Sequence, residues 1–427
     1  MCSIAGADNV IEVKRMLSVQ KHRAPDGNKV VYDGKYAIGM GRLAIVDVTS
    51  SDLFPYEEDN LKLTFNGEIY NYIELRKELR SKGYKFRTAS DTEVLLKSYK
   101  EWGHRCLDHF NGMFAFSIYD GKKIFFARDF AGEKPFYYTE KPFRFASEAK
   151  SLGKCKELPR AHCGIYNFKT IRIWEYWKPK KIKIKNPVRE LEALLSDSIK
   201  LRTRSDVPYA LYLSDGIDSN LIKTFHKFKY TFTYKKGNKK DFLKNAKKIY
   251  YHLDYPVKSF SPYGLWKLAK KASKRVKVVL SGEGADELFG GYIRYIPQEI
   301  YRQAQKKFPS YKKMFPYNKD VNQQGWDDFN GNLQELLRMG DRMASAWGIE
   351  NRCPFLDKRI IEFAFSLTPE QKINLFETKI PLRALIKKRM PKYKDVEKKG
   401  LFIPVNKWIG SKQIYDKDDY LKFQLSL

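Results

Sequence analysis

Tyr209-Ala210-Leu211-Tyr212-Leu213-Ser214-Asp215-Gly216-Ile217-Asp218-Ser219 decides how the second half of the chain folds. A short apolar run reads as a strand, and it passes directly into small, hydroxylic and acidic residues followed by a helical pattern. A parallel α/β sheet presents a phosphate site in this way: the strand ends, the chain turns on small residues, and a helix N-terminus aims its free N–H groups at the anion. Here the hydroxyls of Ser214 and Ser219 can donate hydrogen bonds, Gly216 lets the backbone approach, and Asp218 can hold Mg²⁺. A second strand, Val276 to Leu280, ends in Ser281-Gly282-Glu283-Gly284-Ala285-Asp286-Glu287, so two strand ends offer small and acidic groups.

Upstream, Val188 to Arg202 reads as an amphipathic helix, with Leu191, Leu194, Leu195 and Ile199 at helical spacing. Before it, the pattern changes character at a basic, proline-containing connector, Trp174-Glu175-Tyr176-Trp177-Lys178-Pro179. From the N-terminus to about Phe145, strand-like segments alternate with turn signals: Tyr36 to Met40, Leu61 to Phe65, Met113 to Tyr119 and Lys123 to Ala127. Helical patterns interrupt them only at Ile73 to Lys82 and near Thr92 to Trp102. That order predicts an α+β, sandwich-like domain over residues 1–177 and an α/β domain over 178–427, largely helical from about Gln298 to Lys388.

Length and composition set the outer bounds. A chain of 427 residues holds about two to three domains of ordinary size. With 43% hydrophobic and 15% aromatic residues, it is far from the composition of disorder. Its longest apolar stretches fall well short of the roughly 18–20 residues that span a bilayer. Met1-Cys2-Ser3-Ile4-Ala5-Gly6-Ala7-Asp8 has neither a basic start nor a continuous apolar run. Neither a membrane partner nor secretion is expected. Five cysteines, an odd number without a C-x-x-C pair, fit neither a disulfide scaffold nor a zinc site and point to a reducing cytoplasm. The formal charge of +31 is carried by lysine-rich runs such as Lys178 to Lys185 and Lys387-Lys388-Arg389. Such runs are ordinarily solvated surface, and they also attract a polyphosphate or an acidic acceptor.

Cys2 is the second focus. Removal of Met1 leaves a thiol nucleophile and a free α-amine on one residue. An amine with pKa near 8 suits a thiol of about 8.5 at neutral pH, which lysine amines, about two units higher, do not. Several segments keep it company: His22-Arg23-Ala24-Pro25-Asp26-Gly27, Gly41-Arg42-Leu43-Ala44-Ile45-Val46-Asp47, Asn66-Gly67-Glu68-Ile69-Tyr70-Asn71 and Ser90-Asp91-Thr92-Glu93. Asn111-Gly112-Met113-Phe114-Ala115-Phe116, Arg128-Asp129 with Gly132-Glu133-Lys134-Pro135, and Phe145-Ala146-Ser147-Glu148 follow. Taken by itself, Asn66-Gly67 reads as a hairpin turn. In this order the segments resemble the class II glutamine amidotransferases. The resemblance implies an N-terminal-nucleophile fold of two antiparallel sheets with helices, in which Cys2 attacks glutamine. The tetrahedral oxyanion then needs a side-chain amide and a backbone N–H, roles suited to Asn66 and Gly67. Glutamine's α-carboxylate needs a cation and its α-ammonium needs acceptors, which the resemblance assigns to Arg42, Asp91 and the neighbourhood of Glu68.

The second half carries its own resemblance. Ser214 to Ser219 is similar to the pyrophosphate loop of ATP pyrophosphatases, whose pattern has two glycines where this chain has Asp215-Gly216. Asp215 either adds negative charge where phosphate sits or turns its side chain away. Ser281-Gly282-Glu283-Gly284-Ala285-Asp286-Glu287-Leu288-Phe289-Gly290-Gly291-Tyr292 resembles the asparagine synthetase signature, and Asp341-Arg342-Met343 with Trp347 to Asp357 extends the likeness. The resemblance implies ATP and Mg²⁺ as cofactors. It places ATP at Leu213, Ser214, Gly216, Asp218, Ser219, Ser281, Gly282 and Glu283, and the metal at Asp218 and Asp286. Glu283 becomes the acidic group near the acceptor and incoming ammonia, where a base is required. Glu397-Lys398-Lys399-Gly400-Leu401-Phe402-Ile403-Pro404 resembles the family's lysine loop, with Lys398, or Lys399 beside it, as the active-site lysine.

The expected reaction is glutamine hydrolysis coupled to amidation of an adenylated carboxylate, first of all aspartate. Another acceptor such as a sugar acid or a peptide is the alternative, because the interval between the two strand-end motifs is compact for an asparagine synthetase. Glutamine and the acceptor acid are the expected partners, and a homodimer is left open. A basic nucleic-acid-binding or tRNA-modifying protein is the reading from another class, which steep weakening of binding with salt separates from the first.

Overall fold

Two six-stranded antiparallel sheets use the chain up to Glu175 in the computed structural model, which describes residues 1–50, 54–296, 302, 320–374, 376–394, 403–410 and 417–427. Their strands are β1 (Ser3–Ala7), β2 (Asn28–Tyr32), β3 (Ala37–Gly41), β4 (Tyr56–Glu58), β5 (Leu61–Ile69), β6 (Gly112–Tyr119), β7 (Ile124–Arg128), β8 (Tyr137–Glu140), β9 (Phe143–Ala146), β10 (Lys156–Glu157), β11 (His162–Tyr166) and β12 (Ile171–Glu175). One sheet runs β10-β8-β9-β1-β3-β2 and the other β12-β11-β7-β6-β5-β4.

The central strand β6 is buried at every position because both of its faces are covered. Phe114, Phe116 and Ile118 pack against Leu75, Leu79, Val94 and Leu95 of helices Tyr72–Ser81 and Asp91–Trp102. Ala115 and Tyr119 meet Ile4 and Ile38 of the first sheet. A strand covered on both sides has to be apolar at consecutive positions, as Met113 to Phe116 is. The far face of the first sheet is closed by helix Val10–Val19, whose Val13, Met16 and Leu17 lie on Ala5, Ala7 and Ala37. This helix corrects the sequence reading, which has no helix there. Its β-branched start, Val10-Ile11-Glu12-Val13, looks like a strand, and packing overrides that preference. The approach is close: a Cβ on Gly39 would lie 2.6 Å from Val13 Cγ1 and 2.7 Å from Leu17 Cδ1. The outcome is the expected sandwich of two antiparallel sheets with helices.

The second half is built on a parallel sheet of β13 (Tyr209–Tyr212), β14 (Tyr230–Phe232), β15 (Val278–Leu280) and β16 (Glu350–Arg352), in the order β14-β13-β15-β16. The chain leaves β13 for β14 on one side and returns to β15 on the other. Strand order therefore reverses between β13 and β15, and the crevice beyond their C-terminal ends is where such sheets bind ligands. β16 is a second correction, since a largely helical stretch was expected there. Glu350, Asn351 and Arg352 carry no strand signal. They form one because pairing with Val278, Val279 and Leu280 satisfies their buried backbone. Helices Val321–Asn330, Asn332–Ser345, Lys358–Ser366 and Ile380–Arg389 bear out the rest of that stretch among the described residues.

The halves share one apolar cluster, in which Leu43, Ile45, Val46, Phe130 and Trp177 meet Leu195, Leu211, Ile217, Leu280 and Phe355. Buried charges ring it. Arg23 Nη1 lies 2.8 Å from Asp341 and 3.1 Å from Glu148, and Arg352 Nη2 lies 3.2 Å from Glu68. Breaking a buried pair strands a charge at a cost of about 3–5 kcal/mol, so these contacts fix one register between the halves. Among the described residues no helix is long and apolar enough to cross a membrane.

Candidate active site

Cys2 stands half-buried at the start of β1. Pairing of Ser3 with Gly41 brings it to the chain leaving β3, where the Leu43 N–H donates to Cys2 Sγ at 3.5 Å. Burial pushes the thiol above its ordinary value, against the pull of the nearby α-amino group and the Leu43 backbone. Met1 is fully buried beside it, with Sδ 3.0 Å from Lys134 Nζ. Burial also pushes the Met1 amine down to about 5.

Asn66 and Gly67 lie inside β5, opposite Ala115 and Phe114 of β6, and not in a hairpin turn. Strand alternation puts Asn66 and Glu68 on the face shared with Ala115, which meets Ile4 of β1, and Glu68 bears electrostatically on Cys2 just before that strand. The Asn66 side chain is fully buried, and neither its oxygen nor its nitrogen has a hydrogen-bond partner. Such an amide costs about 1–3 kcal/mol in the free protein, which is the arrangement expected of an oxyanion donor awaiting its anion. Gly67 has φ +150°, and a Cβ there would lie 2.0 Å from the Met113 carbonyl oxygen, so no side chain fits. Arg42 donates through Nη2 to the Asp47 carbonyl at 2.5 Å and through Nη1 to that of Ser50. Asp91 opens helix Asp91–Trp102 and accepts the Ile69 N–H at 2.9 Å, which ties it to the end of β5. Burial pushes its carboxyl up to about 6. Glu68 turns to Arg352 of the other half, and burial raises its carboxyl well above the usual range.

In the crevice, the loop after β13 is closed by its own side chains. Ser219 Oγ accepts the Ser214 N–H at 3.0 Å, and Asn220 Nδ2 donates at 2.8 Å to the carbonyls of Ser214 and Gly216. Leu213 continues the strand by donating to the Phe232 carbonyl at 2.9 Å. Helix Ile217–Phe225 starts at Gly216 without a side-chain cap, which leaves its first N–H groups for an anion. Asp215 is exposed, and its carbonyl accepts from Tyr393 Oη at 3.0 Å. The loop that starts at Ser281 closes onto this helix. A Cβ on Gly282 would meet the Asp218 Cβ at 2.8 Å.

Asp218 and Asp286 converge on one ammonium. Lys379 Nζ lies 2.6 and 2.8 Å from the two Asp218 oxygens and 2.7 Å from Asp286 Oδ1. Lys379 is 3% exposed and adopts φ +55°, a left-handed conformation held by these contacts. Two converging carboxylates beside a phosphate-type helix start are oxygen ligands of the kind Mg²⁺ takes, and in this structure Lys379 holds the point between them. Among the described residues no group of three His, Cys, Asp or Glu side chains could hold a metal, so phosphate oxygens would have to complete such a site. Next to it, half-buried Glu283 accepts from Asn351 Nδ2 at 3.0 Å and faces the Cys353 thiol at 3.6 Å. Burial pushes the Glu283 carboxyl up to about 7, where a group both takes and gives protons at neutral pH.

Ser281, Gly282, Glu283 and Asp286 thus meet Ser214, Gly216, Asp218 and Ser219 in one crevice, while Cys2, Arg42, Asn66, Gly67 and Asp91 gather at one edge of the sandwich. Lys398 and Lys399 lie outside the described residues. Sequence reasoning missed Lys379, Asn351 and Cys353. The last two sit within the Trp347 to Asp357 segment, where their proximity to Glu283 has no local signal. Lys379 precedes a helix opened by Pro381, and nothing nearby marks it as different from other lysines.

Residues 1–195 match the glutamine amidotransferase domain family, and residues 190–231 and 226–418 match the asparagine synthase family. The chain is 29% identical to asparagine synthetase [glutamine-hydrolyzing] 1 of Bacillus subtilis (strain 168), over 94% of this chain and 85% of that protein. It is 31% identical to asparagine synthetase [glutamine-hydrolyzing] 2 of Oryza sativa subsp. japonica, over 87% of this chain and 68% of that protein. It is 28% identical to asparagine synthetase B [glutamine-hydrolyzing] of Escherichia coli (strain K12), over 87% and 76%. With a buried, unpartnered amide on the face that meets β1, a half-buried Cys2 just before that strand, and two strand-end carboxylates sharing one cation, the chain belongs to the family of glutamine-hydrolysing asparagine synthetases.

Proposed function

We propose that this protein is a glutamine-dependent asparagine synthetase, hydrolysing glutamine at Cys2 and using the ammonia, with ATP, to amidate aspartate in a reducing cytoplasm. The observation that carries the reading is the joining of two complementary centres across one ion-paired interface: Cys2 with Asn66 on one side, Glu283 with Asp218, Lys379 and Asp286 on the other.

With Met1 removed, the Cys2 amine takes the thiol proton and the sulfur attacks the glutamine side-chain carbonyl. Asn66 Nδ2 and the Gly67 N–H receive the developing oxyanion, and Asp91 and Arg42 hold the two ends of the amino acid. The proton passes from the amine to the departing ammonia, and water then releases glutamate from the thioester. In the crevice the ATP phosphates lie against Ser214, Gly216 and Ser219 at the start of helix Ile217–Phe225. Asp218 and Asp286 would hold Mg²⁺, which would offset the charge of the leaving pyrophosphate. Lys379 keeps those carboxylates together. Glu283 takes a proton from the nitrogen as ammonia displaces AMP from the adenylated acid.

The test is incubation with glutamine, ATP, Mg²⁺ and aspartate, with mass spectrometry of the products. Asparagine, AMP and glutamate in equal amounts are expected. AMP formed only with a different acid would move the acceptor to a sugar acid or a peptide.

A further inference from the structure

Lys372 ends the short helix Pro369–Lys372. That turn is fixed at both ends: the Thr368 N–H donates to Gln371 Oε1 at 2.9 Å, and Ile373, whose N–H donates to the Pro369 carbonyl at 2.9 Å, packs with Val321 and Tyr295. A turn pinned in this way keeps Lys372 inside. The residue is 0% exposed, and its Nζ has no hydrogen-bond partner. Lysine ammonium groups ordinarily reach out to water, and a buried donor left unpaired costs about 1–3 kcal/mol, more when charged. The amine lies 5.2 Å over the Phe365 ring, and the charges that bear on it are Lys181 and Asp320. Lys181, from the connector between the halves, donates to the Phe365 carbonyl, and next to it the Ile182 N–H donates to Ser366 Oγ at 2.9 Å. Asp320 caps helix Val321–Asn330 and accepts the Asn322 N–H at 2.7 Å. Among the described residues Lys181, Asp320, Asn322, Trp326 and Phe365 line one cavity of about 250 Å³. Asn322 Nδ2 donates to the Leu367 carbonyl at 2.8 Å, while its Oδ1 is buried without a partner. An orphaned acceptor in the cavity wall and an orphaned amine over the ring of another wall are an exception to the pairing that buried polar groups almost always find.

An amine buried without an acceptor, beside a second ammonium, is held in its neutral and nucleophilic form. Burial, joined by Lys181 and opposed by Asp320, pushes the Lys372 amine down to about 7. Entry selects the electrophile. A charged reagent would have to shed its hydration against Trp326 and Phe365 to reach the nitrogen, whereas carbon dioxide is small and uncharged and loses little. We propose that Lys372 is a modification site for carbon dioxide, its Nζ forming a carbamate over the cavity that Lys181, Asn322 and Phe365 line. The nitrogen lone pair makes the new N–C bond, one C=O electron pair moves onto oxygen, and one N–H proton leaves to solvent. Amine and carbon dioxide thus become carbamate and H⁺, with nothing oxidised or reduced. The product suits its surroundings. Its planar anion gains the Lys181 ammonium as a partner, and its remaining N–H is a donor for an acceptor such as Asn322 Oδ1. Through Lys181 the new charge ties the connector to the second half, a chemistry independent of amide synthesis.

The experiment equilibrates the full chain with isotopically labelled carbon dioxide at about pH 7.5 and reads the carbamate carbon by NMR. At that pH a lysine of ordinary pKa is neutral in roughly one part in a thousand, so a carbamate resonance at least about tenfold stronger than that of the same protein unfolded in urea is expected. Lys372→Met, which fills the same volume without the amine, should lose it. Lys181 is exposed, and Lys181→Met should weaken the resonance severalfold by removing the carbamate's partner. A folded wild type no stronger than the unfolded chain overturns the proposal and leaves the amine to a buried water. A resonance that persists in Lys372→Met belongs to another amine and overturns it as well. If Lys372→Met does not fold, Lys181→Met decides: a severalfold loss supports the site, and an unchanged signal overturns it.

Discussion

Replacing Lys379 with methionine tests the crevice most directly. The side chain keeps its length and loses its charge, and Asp218 and Asp286 lose the ammonium that three contacts of 2.6, 2.8 and 2.7 Å let them share. Because Lys379 is 3% exposed, water does not replace it cheaply. Removing one member of a buried charge cluster costs about 3–5 kcal/mol. At about 2–4 °C per kcal/mol for a domain of this size, the lower figure lowers Tm by about 6–12 °C. A divalent cation is the natural substitute, since the two carboxylates still face the same point. Thermal unfolding with EDTA and with millimolar MgCl₂ is the assay. Mg²⁺ is expected to restore Lys379→Met by several degrees and to shift wild type by less, as the lysine already holds the place. A variant as stable as wild type in EDTA, or equal Mg²⁺ shifts in both proteins, would refute the reasoning.

The other predictions concern separate steps. Cys2→Ala abolishes glutamine hydrolysis but leaves asparagine synthesis from ammonium salts; retained glutaminase activity in that variant would place the nucleophile elsewhere. Burial pushes the Asp91 carboxyl up to about 6, so in the proposed role it would hold the glutamine α-ammonium as an anion above that pH and lose its charge below it. The KM for glutamine should therefore climb toward about tenfold per pH unit below pH 6, and Asp91→Asn should remove that dependence. Glu283→Gln lowers ammonia-driven synthesis by about 10²–10⁴-fold and leaves glutaminase activity within about twofold. In wild type the same rate, expressed per free ammonia, rises through pH 7 as Glu283 ionises.

Much of the fold is legible along the chain because its information is local. Apolar runs flanked by turn residues mark β6, β7 and β13, and the passage from Leu213 through Ser219 marks a strand end feeding a helix. Helix Val10–Val19 is not legible, because its β-branched start carries the opposite propensity and only the small residues of β1 and β3 let it settle as a helix. Strand β16 is hidden for a related reason: Glu350-Asn351-Arg352 becomes extended only when a buried neighbour, β15, accepts it.

The candidate sites divide along the same line. Cys2, the Asn66-Gly67 pair and the two strand-end motifs are visible in sequence, because each needs a particular residue type next to a particular backbone geometry within a few positions. Lys379 lies 161 residues from Asp218, and Glu283 is 70 residues from the Cys353 thiol it faces. Residue order by itself settles which local turns and strands are stable and which chemical groups they carry. Only the packed molecule settles which groups meet, because burial and Coulomb interactions act through space, so an amide left without partners or a carboxyl raised to neutrality exists only once distant segments have excluded the water around it.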